Sequence, residues 1–207
     1  DPEMSRGLGD VYKRQFFMKF DLEEKVNIMI SGRHVHLTSE AINKLFGHDL
    51  HVRNNLNQVG QFASIETVTL ETSEGVIENV RVIGPARKYN QVEVSHSDAR
   101  KLGLKLPVRK SGNLDGAGYI TIKTDNGSIS GNYAIIADRH VHFSPEDAKK
   151  YKVLDGEDLY LEINGVKPGA ILVKAKVSED GYFEAHLDTD DANAFLLNSG
   201  DVGILRK

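Results

Sequence analysis

Cysteine and tryptophan are absent from the 207 residues, and proline occurs only five times. Without cysteine there are no disulfides, no thiolate metal site and no acyl-cysteine intermediate, so any metal must be held by histidine and carboxylate. Basic charge is not in excess either: 26 Lys and Arg stand against 30 Asp and Glu, a formal net charge of -4. A nucleic-acid binder is expected to carry a basic stripe, which this sequence lacks. No apolar run nears the roughly 20 residues that span a bilayer, and no basic-then-apolar stretch precedes a small-residue cleavage site. A cytoplasmic protein with neither nucleic-acid nor membrane partners is therefore expected.

What is present is a strand-rich chain. VNIMIS, ETVTLET, VIENVRVIG, QVEVS, YITIKT, AIIAD, DLYLEIN, AILVKAKVS and YFEAHLD are short, rich in Val, Ile, Thr and aromatics, and often alternate in polarity. Asn126-Gly127, Asn164-Gly165 and Asp180-Gly181 read as tight connections between antiparallel strands. Helical patterns are brief. TSEAINKLFG offers Thr38 as N-cap and Gly47 as stop, and SPEDAKKYKV offers Ser144 as N-cap, Pro145 in the first turn and Asp147 for a capping box. SHSDARKLGL and DTDDANAFLLNSG read the same way. The length allows two small domains, each with its own core. A mainly β fold is expected, two small β-barrels capped by short α-helices and related by an internal duplication. Residues 1–17 share neither the alternation nor the spacing of the rest. They are read as a non-native or disordered extension, with Met18 as the native start.

The duplication shows in the tetrapeptide RHVH, which occurs at Arg33–His36 and again at Arg139–His142. Aligning 30–40 with 136–146 matches Ile, Arg, His, Val, His and Glu, and in both copies Thr or Ser then opens a helix. On an extended segment, side chains two apart point to the same side about 7 Å apart, so His34 with His36, and His140 with His142, can each converge on one ion while the valine faces the core. Two copies in matching contexts are improbable by chance, so the duplication favours metal binding over surface or hydrogen-bonded core histidines. A catalytic zinc site commonly needs a third protein ligand. Glu93 and His186 each sit at a strand end; His48, His51 and His96 are rivals that spacing alone does not eliminate.

SGRHVHLT, GQFASIETVTL, VRVIGPARKYNQVEVS, VRKSGNLDG, ADRHVHFSPEDA and AHLDTDDANA together resemble, in order, the PduL-type phosphate acyltransferases, the phosphotransacylases (phosphate propanoyltransferases) first associated with propanediol-degrading bacterial microcompartments. The resemblance implies a two-barrel protein with two zinc ions per active site, exchanging a short acyl group, propionyl or acetyl, between coenzyme A and inorganic phosphate. It implies that His34, His36 and Glu93 hold one zinc, whose exchangeable ligand is the coenzyme A sulfur. His140, His142 and His186 are implied to hold the other, and Arg87 to contact phosphate. It further implies a discontinuous first barrel of 25–33 plus 135–207, with 34–134 forming the second.

The chemistry expected from such a site is coherent. A metal on the thioester sulfur stabilises the departing thiolate, and a second cation with Arg87 orients phosphate. Arg33 and Arg139 are expected to brace structure, and direct displacement is favoured over a covalent acyl-enzyme. Arg109 and Lys110 beside the glycine-rich SGNLDGAG loop are candidate coenzyme A contacts. Acyl-CoA, acyl phosphate and phosphate are the expected partners, in a homodimer with association to a microcompartment shell as a further expectation. The rival readings are a dinuclear zinc hydrolase, although no HxHxDH run is present, and a non-catalytic zinc scaffold.

Overall fold

A computed structural model describes residues 22–207, so the readings of 1–17 and of Met18 fall outside the described residues. The chain runs β1 (Glu23–Ser31), β2 (His34–His36), α1 (Ser39–Phe46), β3 (Val52–Asn55), β4 (Phe62–Glu71), β5 (Val76–Gly84), β6 (Gln91–Glu93) and α2 (His96–Lys101). It continues through β7 (Val108–Arg109), β8 (Gly118–Thr124), β9 (Gly127–Ala137), β10 (His140–Phe143), α3 (Pro145–Tyr151), β11 (Asp158–Ile163), β12 (Gly169–Val177), β13 (Glu184–Asp188), α4 (Thr189–Phe195) and β14 (Val202–Arg206). No described helix is long and apolar enough to cross a membrane.

Two closed six-stranded barrels result. One runs in the order β1-β13-β10-β12-β11-β14. In the other, β4-β5-β2-β6-β9-β8 closes through the pairing of β8 with β4; β3 adds to the edge at β4 and β7 pairs with β9. Closure leaves no unpaired edge within either ring, which is how short strands of alternating polarity become a stable unit. Strand β1 shows the pattern: Val26 and Ile28 turn inward while Lys25 and Asn27 face out. They join Val141, Leu159, Leu161, Val173 and Ala185 in one core, while Val35, Leu70, Val80, Val82, Val92 and Ile120 build a separate core in the other barrel. Burying each such aliphatic side chain stabilises by about 1.5–3 kcal/mol.

The chain changes barrel twice, each time within two residues. Gly32 and Arg33 join β1 of one barrel to β2 of the other, and Asp138 and Arg139 make the return from β9 to β10. Each crossing delivers the chain directly into a His-Val-His strand.

All four expected helices form. Thr38 accepts a hydrogen bond from the Ala41 amide at 3.1 Å, and Gly47 ends α1 at φ 73°, a left-handed conformation that glycine adopts without a Cβ clash. The Ser144 hydroxyl caps α3 through the Asp147 amide at 3.0 Å. Two turn assignments need correction. Asn126-Gly127 is not itself the turn between β8 and β9: Thr124 pairs with Gly127, so the two-residue loop is Asp125-Asn126 and Gly127 already belongs to the strand. Asp180-Gly181 joins β12 to β13, which are not neighbours, because β10 lies between them. Several ring contacts are also parallel: β1 with β13, β10 with β12, β2 with β5, and β6 with β9.

Candidate active site

The two His-Val-His strands are used in the same way. Strand β2 pairs antiparallel with β6, placing His34 opposite Glu93. Strand β10 pairs antiparallel with β13, placing His140 opposite His186. Each third group therefore sits directly across the ladder from the first histidine, where side chains on one face are nearest neighbours. All four of these strands lead into an N-capped helix: Thr38, Ser95, Ser144 and Asp188 each accept from an amide of the first turn. The arginines of the two RHVH segments brace these helices. Arg33 Nη1 lies 3.1 Å from Asp98 Oδ1 on α2, and Arg139 Nε lies 3.1 Å from Asp191 Oδ2 on α4.

Two clusters result. One ligand-type atom each from His34, His36 and Glu93 lies within 4.8 Å of the others, and the same holds for His140, His142 and His186. The rings are oriented from behind. His34 Nδ1 is 2.9 Å from the Gly32 carbonyl, His140 Nδ1 is 2.8 Å from the Asp138 carbonyl and His36 Nδ1 is 3.2 Å from that of Ile83. A carbonyl partner fixes the proton on Nδ1 and leaves Nε2 with its lone pair directed into the cluster. His140 Nε2 and His142 Nε2 face each other at 3.1 Å, a separation that calls for a shared proton or a cation between them. His142 Nδ1 is buried without a hydrogen-bond partner among the described residues. The donor set, imidazole nitrogen with one carboxylate and no thiolate, fits zinc.

Electrostatics favour the ligand form of these groups. Burial, with repulsion from His34 and Arg87, lowers His36 to about 3. Burial, with repulsion from His140 and His186, lowers His142 to about 2. His140 falls to about 3 through burial, Lys176 and His186. All three imidazoles are thus neutral near pH 7, as coordination requires. For Glu93, burial pushes the pKa up, but the charges of His34 and His36 and the Ser111 hydroxyl outweigh it and hold the carboxyl below the usual range.

Both clusters open onto one cavity of about 270 Å³ whose lining also includes Arg87, Ser111, Lys176, Tyr182 and Glu184. Arg87 reaches it from the loop after β5. Among the described residues its guanidinium hydrogen-bonds only neutral groups: Tyr89 hydroxyl at 3.3 Å, Gln61 Oε1 at 3.3 Å and Ser111 Oγ at 3.5 Å. Ser111 and Gln91 both donate to Glu93 Oε1, at 2.8 and 2.5 Å. Across the cavity Glu184 accepts from Asn57 Nδ2 at 2.8 Å and lies 3.1 Å from His186 Nε2, which is also 2.9 Å from the Tyr182 hydroxyl. The Asn57 contact, with Gln58 to Asp180 at 2.6 Å and Lys110 to Asp155 at 2.8 Å, ties one barrel to the other around the site.

The remaining sequence candidates lie outside the lining of this cavity, Lys110 in an adjoining recess with Ser111, His140 and Lys176. Arg109 is held by the Asp115 carbonyl and carboxylate, and Lys110 by Asp155. His96 is exposed at the start of α2. His48 and His51 gather at Glu66, but that carboxylate already accepts from the His51 ring at 2.7 Å and from the His51 amide, so this group is closed by its own hydrogen bonds. Ser111, Gln91, Glu184, Tyr182 and Lys176 were not singled out by the sequence. Only the position of Ser111 in the glycine-rich loop hinted at a site.

Comparison with known proteins converges on one group. The family model for phosphate propanoyltransferase matches residues 27–198. A phosphate propanoyltransferase of Thermotoga maritima is 42% identical over 194 residues, covering 91% of this chain and 92% of the relative. One from Shewanella putrefaciens is 41% identical over 184 residues, 87% of each chain, and one from Priestia megaterium is 43% identical over 184 residues, covering 87% and 85%.

Proposed function

Because the chain belongs to the phosphate propanoyltransferase family, we propose that it is a zinc-dependent phosphotransacylase. It exchanges a short acyl group, propionyl or acetyl, between coenzyme A and inorganic phosphate by direct displacement. The observation that carries this reading is the opening of two duplicated His-containing clusters, together with Arg87, onto one cavity. His34, His36 and Glu93 would hold one zinc, and His140, His142 and His186 the other. The bound metals supply Lewis acidity toward the thiolate that leaves and the phosphate that attacks.

The chain's own groups perform the rest. Arg87, with no carboxylate partner, offers planar N–H donors to phosphate oxygens and aligns the nucleophile with the thioester carbonyl. Ser111 and Gln91 fix the Glu93 carboxylate, and the carbonyl contacts on His34, His36 and His140 fix the rings, so little reorganisation accompanies the reaction. Without cysteine, transfer needs no acyl-thiol intermediate: the phosphate oxygen forms its bond to the acyl carbon as the carbon–sulfur bond breaks. We take the discontinuous division read from the sequence, 25–33 plus 135–207 and 34–134, as the two domains, with the second boundary moved to the Asp138-Arg139 crossing because β9 stays paired in the second barrel through Ala137, and a homodimer that associates with a microcompartment shell as the working assembly. Coenzyme A contacts from Arg109 and Lys110 require their carboxylate partners to be exchanged for the cofactor's phosphates.

The test is thioester formation from propionyl phosphate or acetyl phosphate and coenzyme A, before and after zinc is stripped and restored. Zinc-restored activity is expected. Folded, zinc-loaded protein without activity overturns the reading.

A further inference from the structure

The basic residues around the active-site cleft fall into two groups. Arg33, Arg109, Lys110, Arg139 and Lys174 each have a carboxylate partner, respectively Asp98, Asp115, Asp155, Asp191 and Asp158. Two cations lining the cavity do not. Arg87 touches only neutral oxygens. The Lys176 ammonium makes no hydrogen bond or ion pair among the described residues.

Lys176 is placed by the fold as firmly as the histidines are. It lies on β12, paired in parallel with β10, with Lys176 in register with His142. Its neighbours Ala175 and Val173 are buried, and Ala175 belongs to the barrel core. Leaving an ammonium half-buried without a counter-ion is costly unless an anion arrives to compensate it. Lys176 lies within electrostatic range of the Glu93 and Asp180 carboxylates as well as of Arg87 and Lys110, but neither carboxylate pairs with it directly among the described residues.

We propose that Lys176 is a second phosphate-holding residue, which with Arg87 grips the attacking phosphate from the opposite barrel. Arg87 belongs to the β4-β5-β2-β6-β9-β8 barrel and Lys176 to the other, so the dianion bridges the two. A guanidinium and an ammonium add to the positive charge that the bound metals would present to the phosphate, and they divide the work of holding it. Arg supplies a planar fork that sets orientation; Lys supplies a compact charge with three donors that follows the oxygens as they move toward the acyl carbon. This inference rests on the phosphotransacylase reading and adds to it the residue that selects an oxyanion nucleophile over water.

The test uses full-length zinc-loaded protein with Lys176→Met, Lys176→Gln and Lys176→Arg. In the acyl-phosphate-forming direction, Lys176→Met should raise KM for phosphate by roughly 10- to 100-fold, the range set by loss of one charge-assisted hydrogen bond. KM for propionyl-CoA should change less than threefold, and Lys176→Arg should recover most of the loss. Calorimetric titration with inorganic phosphate alone should show the same weakening. An unchanged phosphate KM in an active variant overturns the proposal, as does an equal rise for both substrates without rescue by arginine. Should the methionine variant lose zinc, Lys176→Gln supplies the same comparison. Inactivity of the wild type would refute the phosphotransacylase reading instead. Phosphate binding by wild type and variant would then still decide whether Lys176 holds the anion.

Discussion

Protonation should dismantle the metal-free site at an unusually mild pH. His36 and His142 are 3% and 1% exposed, with pKa values lowered from 6.5 to about 3 and about 2. In the unfolded chain both protonate near 6.5, whereas in the folded chain they stay neutral well below that. The unfolded state therefore binds more protons as pH falls, and the stability these groups contribute is present above pH 6.5 and lost progressively on the way to about 3. Between pH 7 and pH 5 each costs about 2 kcal/mol, and His140, lowered to about 3, adds the same, or about 6 kcal/mol for the three. Asp191 acts in the opposite direction: burial, with Asp188 nearby, raises it to about 6, so its protonation returns about 1 kcal/mol over the same interval. The net loss of about 5 kcal/mol, at a urea m-value of about 2 kcal/mol/M, lowers the midpoint by roughly 2.5 M. The assay is urea unfolding of chelator-treated protein at pH 7, 6 and 5, with His142→Gln as a variant that should lose about a third of the histidine-driven pH dependence. A midpoint that stays constant from pH 7 to pH 5 would refute the reasoning, because these imidazoles would then not be buried in neutral form.

Other perturbations separate the ligands from the scaffold. His140→Ala or His142→Ala should abolish turnover and lower bound zinc while leaving the circular dichroism spectrum intact; unchanged zinc content in elemental analysis counts against the assignment. Arg87→Ala should weaken phosphate usage while coenzyme A usage is retained, and equal loss for both in steady-state kinetics would mark it as structural. Leu161→Ala, at a fully buried core position, should cost about 2–5 kcal/mol in denaturant unfolding without altering the zinc content of the surviving folded fraction. Ser144→Ala should cost about 1 kcal/mol by removing the cap of α3.

The parts of the fold readable from sequence are those with local periodicity. Strands β5 and β11 and all four helices follow from alternation or from a capping residue followed by a short helical pattern. Strand β14 is not legible because its core-facing positions are Gly203 and Leu205 while Val202 is exposed, so apolar residues do not mark one face, and β3 is not because its residues are all exposed and hold the chain by ladder bonds alone. The histidine pairs were legible because both members lie on one strand with a valine between them. Glu93 and His186 are different: their place opposite His34 and His140 depends on which strands pair, and motif resemblance supplied what periodicity did not. Lys176 had no motif at all. It enters the site through a parallel pairing of β10 with β12, a relation that no short window of residues encodes.

The two barrel-to-barrel crossings give the site a mechanical property. Gly32-Arg33 and Asp138-Arg139 line the same small recess between the barrels, so the only covalent connections run side by side. Such a pair of short straps defines a torsion axis: one body can roll against the other about the straps, while points close to them barely separate. His34 and His140 are the first residues beyond the straps and lie beside that axis, and the Asn57–Glu184 and Gln58–Asp180 hydrogen bonds oppose rotation about it. The straps thus hold constant the spacing of the two histidine clusters, the distance that must not change if leaving group and nucleophile are to stay aligned.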